Sequence, residues 1–397
     1  MHNYCLPADP FPHHRLSLAN IAGAADLIDP VFLHTPQYDC EALSDEIGCH
    51  LTLKIETANP IRSFKGRGAE FLIASRLASG ALQGRQIIAA SAGNWGQALA
   101  YACRKRQLPL TLYASVNANP LKVERMKALG ATMVLQGDDF DAAKLAAQDF
   151  AAATGGLMVA DGLDPEAAEG AGTIAAELLA RAPCPDVLVV PLGNGALLTG
   201  VARWAKAVHP AIEIIGVQAV GADAMEKSWR LGRLVFPPAI DTIADGIGVR
   251  VPIREAVDDM RGLVDDVHLV EDQAIIAAMR LLFRVAGLVA EPSGAAGHLL
   301  HRQHARPVRH FFQPADGDQR QRLCLLWRIW RQHRRHRQDR ALQRRALSIN
   351  ISSKSGRVMP GSSPYTMKLS SVKLPLIDGE NNPVVVSTKY QPSVAFS

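Results

Sequence analysis

From about residue 51 to residue 297 the chain repeats one order of hydrophobic and polar positions. A short apolar run is followed by a turn with glycine and then by an alanine-rich stretch with helical spacing, as in "RQIIAASAGNWGQALAYACRKRQ" and "PDVLVVPLGNGALLTGVARWAKAVHP". Apolar runs such as "VLVVPL" lack polar alternation, which is typical of strands covered on both faces. The pattern predicts an α/β protein with parallel-rich sheets and crossover helices, and ligands at the carboxyl ends of its strands.

This pattern ends near His298, and the charge balance changes at the same place. Residues 1–300 contain 25 Lys+Arg and 33 Asp+Glu, whereas residues 301–347 contain 13 Arg, no Lys, 3 Asp and no Glu. Residues 348–397 are rich in serine, proline and lysine. We therefore expect residues 301–397 to form an atypical tail, first basic and then Ser/Pro-rich, that is disordered or irregular.

The composition excludes several classes of protein. A chain of 397 residues with 48% hydrophobic and 20% charged residues is typical of a globular protein with two or three lobes. The N-terminus has no signal-peptide pattern, and no apolar run is long enough to span a bilayer, so we expect a cytoplasmic protein. Six cysteines at scattered positions, without a CxxC pair, indicate neither a zinc site nor a disulfide framework: Cys5, Cys40, Cys49, Cys103, Cys184 and Cys324.

Three short segments carry candidate chemistry. "PLGNGALLTG" (residues 191–200) follows a predicted buried strand and opens a helix, which favours an anion such as phosphate, although a plain tight turn stays possible. It fits neither the GxGxxG nor the GxxxxGK[ST] nucleotide motif. "SAGNWGQALAYA" (residues 91–102) offers the amide of Asn94, which is otherwise a turn or cap residue. "SFKGRGAEF" contains the isolated Lys65.

One cofactor requires all three features. Pyridoxal phosphate needs a lysine amine for its aldehyde, a helix N-terminus for its phosphate and a donor for its ring hydroxyl. The sequence therefore predicts a pyridoxal-phosphate site around Lys65.

Eight ordered blocks resemble the fold-type II pyridoxal-phosphate enzymes, the tryptophan-synthase β-like family, in their serine/threonine dehydratase branch. The resemblance implies a two-lobed architecture with a large cofactor-binding domain (residues 1–85 and 161–300), a small domain (residues 86–160) and usually a homodimer. The blocks are "SFKGRGAEF", "SAGNWGQALAYA", "ANPLKVERMKALGA", "AAEGAGTIAAELL", "VPLGNGALLTGV", "TIADGIGV", "DQAIIAAMRLLF" and "GLVAEPSGAAG".

The resemblance also implies roles for individual residues. Lys65 would form the internal Schiff base and then move the Cα proton of the substrate, and Glu291 would lie near the cofactor ring unless it only begins a helix. The implied cofactor-binding residues are Phe64, Lys65, Asn94, Gly193, Asn194, Gly195, Ala196, Leu197 and Glu291. The implied substrate-binding residues are Ser91, Ala92, Asn94 and Trp95.

The implied reaction is a deaminating β-elimination, in which a hydroxy amino acid such as threonine or serine gives a 2-oxo acid and ammonia. Racemisation is disfavoured because racemases of the family have a second serine before the Gly-Asn pair, where this chain has Ala92. Threonine synthase-like and β-replacement activities stay open. So does another class, an inactive protein of this fold whose basic segment 301–347 binds nucleic acid, although we expect no nucleic-acid partner.

Further departures concern metal binding and substrate preference. Relatives with a divalent cation use acids where this chain has Gln218 and Ala224, so we expect no metal. Trp95 replaces a more usual histidine, which indicates a changed substrate preference.

The C-terminus departs most from the family. Relatives continue after Glu291 through a strand that ends in a Gly-Gly-Asn or Gly-Ala-Asn turn, and no such strand or turn is evident here. "WRQH" (residues 330–333) must be encoded TGG-CGN-CAR-CAY, which one nucleotide later can read Gly-Gly-Asn. Our hypothesis is a shifted reading frame after about Gly297, and we expect the missing strand to leave an unpaired sheet edge.

Overall fold

A computed structural model describes residues 6–181, 183–299 and 322–327 of the chain. Within these residues two sheets are formed by the following strands: β1 (Gln37–Asp39), β2 (His50–Ile55), β3 (Ile87–Ala90), β4 (Leu110–Ala114), β5 (Thr132–Leu135), β6 (Leu157–Met158), β7 (Val187–Pro191), β8 (Glu213–Ala219), β9 (Asp266–Val270) and β10 (Arg322–Trp327).

Helices connect most of these strands, as crossovers between parallel strands require. They are α1 (Leu18–Leu27), α2 (Glu41–Ile47), α3 (Lys65–Ala78), α4 (Asn94–Lys105), α5 (Pro120–Ala128), α6 (Phe140–Thr154), α7 (Pro165–Leu179), α8 (Ala196–Val208), α9 (Ala224–Leu231), α10 (Arg254–Asp259), α11 (Asp272–Ala286) and α12 (Pro292–Ala295).

Along the chain, the four strands of the smaller sheet lie between β2 and β7 of the larger sheet. The six-stranded sheet has the order β1-β2-β10-β7-β8-β9, and all of its neighbours are parallel except β1 and β2. The four-stranded sheet has the order β5-β4-β3-β6 and is entirely parallel. Strands β3 and β7 are buried at every position, as their continuous apolar runs predict. The predicted α/β class with parallel-rich sheets is confirmed.

Strand β10 corrects one expectation from the sequence. Residues 322–327 pair in parallel with β2 on one side and with β7 on the other, so the six-stranded sheet has no unpaired edge at this position. The expected gap is therefore wrong, and the irregular tail does not include residues 322–327. Residues 301–321 and 328–397, to which the rest of that expectation applies, lie outside the described residues, as does most of the proposed basic arm.

Small residues let three helices approach closely and thereby position the candidate site. A Cβ atom on Gly200 of α8 would lie 2.0 Å from the carbonyl oxygen of Ala168 in α7. A Cβ atom on Gly170 of α7 would lie 2.6 Å from the carbonyl oxygen of Arg67 in α3. The backbones of α3, α7 and α8 therefore pack directly against one another. This packing fixes the start of α3, where Lys65 lies, relative to the glycine loop that precedes α8.

A buried charge network holds the start of α3 to the six-stranded sheet. Arg67 is fully buried, and its guanidinium donates to both carboxylate oxygens of Glu56 (2.8 and 2.9 Å) and of Glu177 (2.6 and 2.9 Å). Lys54 of β2 donates to Glu177 at 2.6 Å. Burial alone would raise the pKa of Glu177, but Arg67 and Lys54 hold it at about 2.

Candidate active site

Lys65 is the first residue of α3, and its amine is held on two sides. Nζ lies 4.7 Å from the centroid of the Phe64 ring and forms an ion pair with the carboxylate of Asp161. Its backbone N–H donates to Oγ of Ser63 at 3.2 Å. The Lys65 side chain is 13% exposed, so the amine lies in a partly enclosed place rather than among solvated surface charges.

The glycine loop between β7 and α8 forms the wall opposite Lys65. Gly195 caps α8 with φ +95°, a conformation that side chains rarely adopt. A Cβ atom on Gly193 would lie 2.9 Å from the carbonyl oxygen of Gly246. The first turn of a helix leaves N–H groups without intrahelical acceptors, and its dipole favours negative charge, so the start of α8 suits a phosphate. The pocket at this point is lined by Phe64, Lys65, Gly193, Asn194, Gly195, Ala196, Leu197, Ser293 and others.

The loop between β3 and α4 is organised by Ser91. Its hydroxyl oxygen accepts hydrogen bonds from the N–H groups of Gly93 (3.2 Å) and Gly96 (2.9 Å). Both acceptor positions of the hydroxyl are then used, and its hydrogen stays available to donate. A ligand carboxylate can accept that hydrogen, which agrees with the role that the resemblance implies for Ser91.

Asn94 and Glu291, predicted separately, lie in contact. Nδ2 of Asn94 donates to Oε2 of Glu291 at 3.3 Å. Glu291 is 4% exposed and precedes α12, so it both begins a helix and faces the loop of Asn94. Next to it, Oγ of Ser293 is buried and has no hydrogen-bond partner among the described residues.

Trp95 belongs more to the core than to the cavity. It is 6% exposed and packs in the hydrophobic cluster that contains Leu72 and Ala98. Within the described part of the chain its Nε1 has no hydrogen-bond partner. Its effect on substrate preference stays a prediction.

A cavity of about 690 Å³ joins these elements. Lys65 and Asn194 line both this cavity and the pocket of the glycine loop. The predicted substrate-binding residues Ser91, Ala92, Asn94 and Trp95 all line the cavity. The structure thus brings the residues of the three sequence segments together.

Several residues that line this cavity belong to none of the three sequence segments. One of them is Asp161, which lies just after β6. Two ion pairs connect the walls of the cavity: Lys122 with Asp245 at 2.5 Å, and Arg250 with Asp139 at 3.0 Å. Asp161 was the one with a usable signal, because it follows a parallel strand at the carboxyl end.

In the described ranges no group of three or more His, Cys, Asp or Glu residues could hold a metal ion. Gln218, at a position where relatives have an acid, is fully buried and accepts a hydrogen bond from the N–H of Glu226 at 3.0 Å. Among those same residues no helix combines the length and the apolar character that crossing a membrane requires.

Comparison with known proteins identifies the family. The family described as "Pyridoxal-phosphate dependent enzyme" matches residues 28–306, which include all the candidate residues. The chain belongs to this family of pyridoxal-phosphate-dependent enzymes. Its cofactor is accordingly pyridoxal 5′-phosphate. The residues present fit that group, since a lysine amine, a helix start and the buried, unpartnered hydroxyl of Ser293 line one pocket.

Individual pyridoxal-phosphate-dependent enzymes are similar over most of the chain. L-threonine ammonia-lyase of Thermotoga maritima is 34% identical over 282 residues, which is 71% of this chain and 70% of the relative. Serine racemase of Oryza sativa subsp. indica is 31% identical over 289 residues, 72% of this chain and 83% of the relative. The solved structure of threonine deaminase isoform 2 from Solanum lycopersicum is 26% identical with a TM-score of 0.71, and the match covers 84% of this chain and 92% of that one.

Proposed function

We propose that this protein is an ammonia-lyase that converts a hydroxy amino acid such as threonine or serine to a 2-oxo acid and ammonia. One observation carries the proposal: the amine of Lys65 lies where the pocket of the glycine loop meets the cavity of the Ser91 loop. In this proposal a base lies between a phosphate site and a carboxylate site. The similarity to enzymes named threonine ammonia-lyase and threonine deaminase supports the same reaction.

Each part of the site has one task in this proposal. The glycine loop, residues 193–197, binds the phosphate through N–H groups at the start of α8. Ser91 and the N–H groups of its loop bind the substrate carboxylate, and Asn94 bonds the ring hydroxyl of the cofactor. When bound, the cofactor accepts the electron pair of the Cα–H bond. Nζ of Lys65 takes the Cα proton, and the β-hydroxyl leaves with a proton as water. Hydrolysis of the released enamine consumes one water and gives the 2-oxo acid and ammonia.

Racemisation is the second candidate, since one similar relative is a serine racemase. A racemase must return the proton to the opposite face of Cα, and the wall of the cavity has Ala92 at the position of the family's second serine. A methyl group cannot donate a proton. Elimination is therefore the activity that these residues favour.

The test is a direct comparison of products. Purified protein with bound cofactor is incubated with L-threonine, L-serine, hydroxyaspartate or 2,3-diaminopropionate, and 2-oxo acid, ammonia and the opposite enantiomer are measured. Formation of 2-oxo acid, with one ammonia per 2-oxo acid from the hydroxy amino acids and two from 2,3-diaminopropionate, supports the proposal if both products are absent in Lys65→Ala. Formation of the opposite enantiomer without 2-oxo acid would replace it with racemisation.

We also propose the finer organisation of the protein. The small domain is residues 86–160, which agrees with the four-stranded sheet formed by β3 to β6. The large domain is residues 1–85 and 161–300.

The protein forms a homodimer in the cytoplasm and has no nucleic-acid partner. Four cysteines are free, which agrees with a reducing compartment: Cys40, Cys49, Cys103 and Cys184. Light scattering and salt-dependent DNA retention test the dimer and the absence of nucleic-acid binding.

A further inference from the structure

Asp161 is the carboxylate beside the reacting amine, and neither the motif blocks nor the reaction described above gives it a role. Its Oδ2 forms the ion pair with Nζ of Lys65, and its side chain is 11% exposed. Its other oxygen, Oδ1, is buried and accepts no hydrogen bond from the described residues. A buried oxygen of this kind costs free energy, so stability of the fold alone does not account for an acid at this place.

The loop that carries Asp161 is held rigidly. The N–H of Ala160 donates to Oδ2 of Asp164 at 2.6 Å, and its carbonyl oxygen accepts from the N–H groups of Leu163 and Asp164. Gly162 has φ +87°, and a Cβ atom on it would lie 2.6 Å from the carbonyl oxygen of Asn194. The loop of Asp161 therefore packs directly against the glycine loop that precedes α8. The Asp161 carboxylate thus has a defined position relative to both Lys65 and the phosphate site.

Other charged groups line the two pockets, and the acids among them have partners of their own. Glu56 binds Arg67, Asp245 binds Lys122, and Glu291 accepts from Asn94. Besides Lys65 and Asp161, the charged residues of the described chain that line the two pockets, or contact a residue that does, include Glu56, Lys122, Asp139, Asp141, Lys144, Asp245, Arg250 and Glu291. Of these, Asp139 and Asp141 both bind Arg250. Arg15 donates to the carbonyl oxygens of Gly162 and Leu163 in the loop of Asp161, and Asp164 of the same loop pairs with Arg76.

We propose that Asp161 is a positioning residue for Lys65, the counter-ion that stabilises Nζ as an ammonium whenever Lys65 holds a proton. This rests on the proposed function, in which the proton of the substrate Cα moves to Nζ and the electron pair of the C–H bond passes to the bound cofactor. A carboxylate in contact with the amine favours the charged form of the amine, so it stabilises the state that follows proton transfer.

The same contact has an opposite effect on cofactor loading. Only the neutral amine can attack the aldehyde of free pyridoxal phosphate. A counter-ion that keeps Nζ protonated therefore shifts loading to higher pH. Removing the charge of Asp161 is expected to make loading easier at neutral pH and turnover slower, whereas a purely structural role would impair both.

The experiment compares Asp161→Asn and Asp161→Glu with the unchanged protein. Glu124→Gln is the matched control, because Glu124 also pairs with a lysine, Lys127, but is 68% exposed on α5. Protein stripped of cofactor is mixed with pyridoxal phosphate at pH 6 to 10, and loading on Lys65 is followed by absorbance and by borohydride fixation. Turnover of L-threonine and L-serine, and the melting temperature, are measured on the loaded proteins.

In Asp161→Asn the pH midpoint of loading is expected to fall by about one unit, and kcat to fall about tenfold with a smaller change in KM. Asp161→Glu is expected to return the midpoint toward that of the unchanged protein, and Glu124→Gln to match it. An unchanged midpoint in Asp161→Asn, or a loss of loading and turnover together with a lower melting temperature, overturns the proposal. If the Asn variant does not fold, Asp161→Ser, which also removes the charge, decides by the same shift of the midpoint. Since loading needs no amino-acid substrate, it tests Asp161 even if no 2-oxo acid is formed.

Discussion

At the scale of single residues, the amine of Lys65 determines the chemistry. Because Nζ lies where the two pockets meet, borohydride reduction of the loaded protein is expected to place the pyridoxyl group on Lys65. Peptide mapping by mass spectrometry measures this. Lys65→Ala should lose the label, and Lys144→Ala, which removes another amine of the cavity, should keep it. A label on any other lysine would show that the assignment of Lys65 is wrong.

Glu177 is expected to make folding stability depend on acid pH. Its pKa is lowered from 4.5 to about 2, so its contribution is complete above about pH 4.5 and is lost as the pH falls toward 2. Glu177→Gln should lower the free energy of unfolding by about 3 kcal/mol at pH 7, because Arg67 and Lys54 lose a buried partner.

Urea unfolding of Glu177→Gln and of the unchanged protein at pH 7, 5, 4 and 3 measures the difference. It should shrink below about pH 4.5, because Glu177 then binds a proton in the unfolded state while it stays ionised in the folded state down to about pH 2. A difference that is the same at all four values would mean that Glu177 contributes by packing rather than by its charge.

At the scale of elements, the contact of α7 with α8 requires glycine. Gly200→Ala should destabilise the protein by about 3 kcal/mol, since the new Cβ would lie 2.0 Å from a backbone oxygen that cannot move independently. Gly23→Ala in α1 is the matched control: nothing lies within 4 Å of its Cβ position, and alanine should stabilise the helix by about 0.5–1 kcal/mol. Thermal melts compare the two. Equal melting temperatures would contradict the close packing.

The strands, helices and loops near the cavity could be predicted because each is encoded locally. A continuous apolar run, a glycine turn and a helical repeat identify the loops of Ser91 and Gly193 without knowledge of the rest of the chain. The position of Asp161 after β6 could have marked it as a residue near the site. Its role could not be predicted, because that role depends on a contact with Lys65 across 96 positions of sequence. Strand β10 was missed for a related reason: "RLCLLW" lies in an arginine-rich segment, and only its neighbours in the sheet make it a central strand.

Strand β10 itself can be tested by changing its backbone. Leu325 pairs with Leu53 of β2 and with Val189 of β7. Leu325→Pro removes a backbone N–H from a strand with neighbours on both sides, so the melting temperature and cofactor retention should fall sharply. Leu325→Ala keeps the N–H and should cost less. Equal effects of the two changes would mean that the pairing of residues 322–327 adds little to stability.

At the scale of the whole molecule, the reading-frame hypothesis gives the largest expected change. Restoring the other frame after Gly297 should raise solubility, cofactor retention and 2-oxo acid formation together, because the restored strand would end in the glycine turn of the family. The two proteins are expressed and assayed side by side, and codons 290–340 are sequenced. If the chain as it stands already equals the restored one in all three properties, the tail is native sequence.

The place of β10 also sets the order in which the chain can fold. Thr52 of β2 pairs with Cys324 of β10. Strand β2 can therefore form this pairing only after almost the whole described chain has been synthesised. Pairings of such long sequence separation slow folding, and during synthesis the apolar edges of β2 and β7 stay open to other chains. A ribosome-bound chain should therefore resist protease only after residue 327 has left the exit tunnel, and before that point should bind chaperones that cover exposed strands.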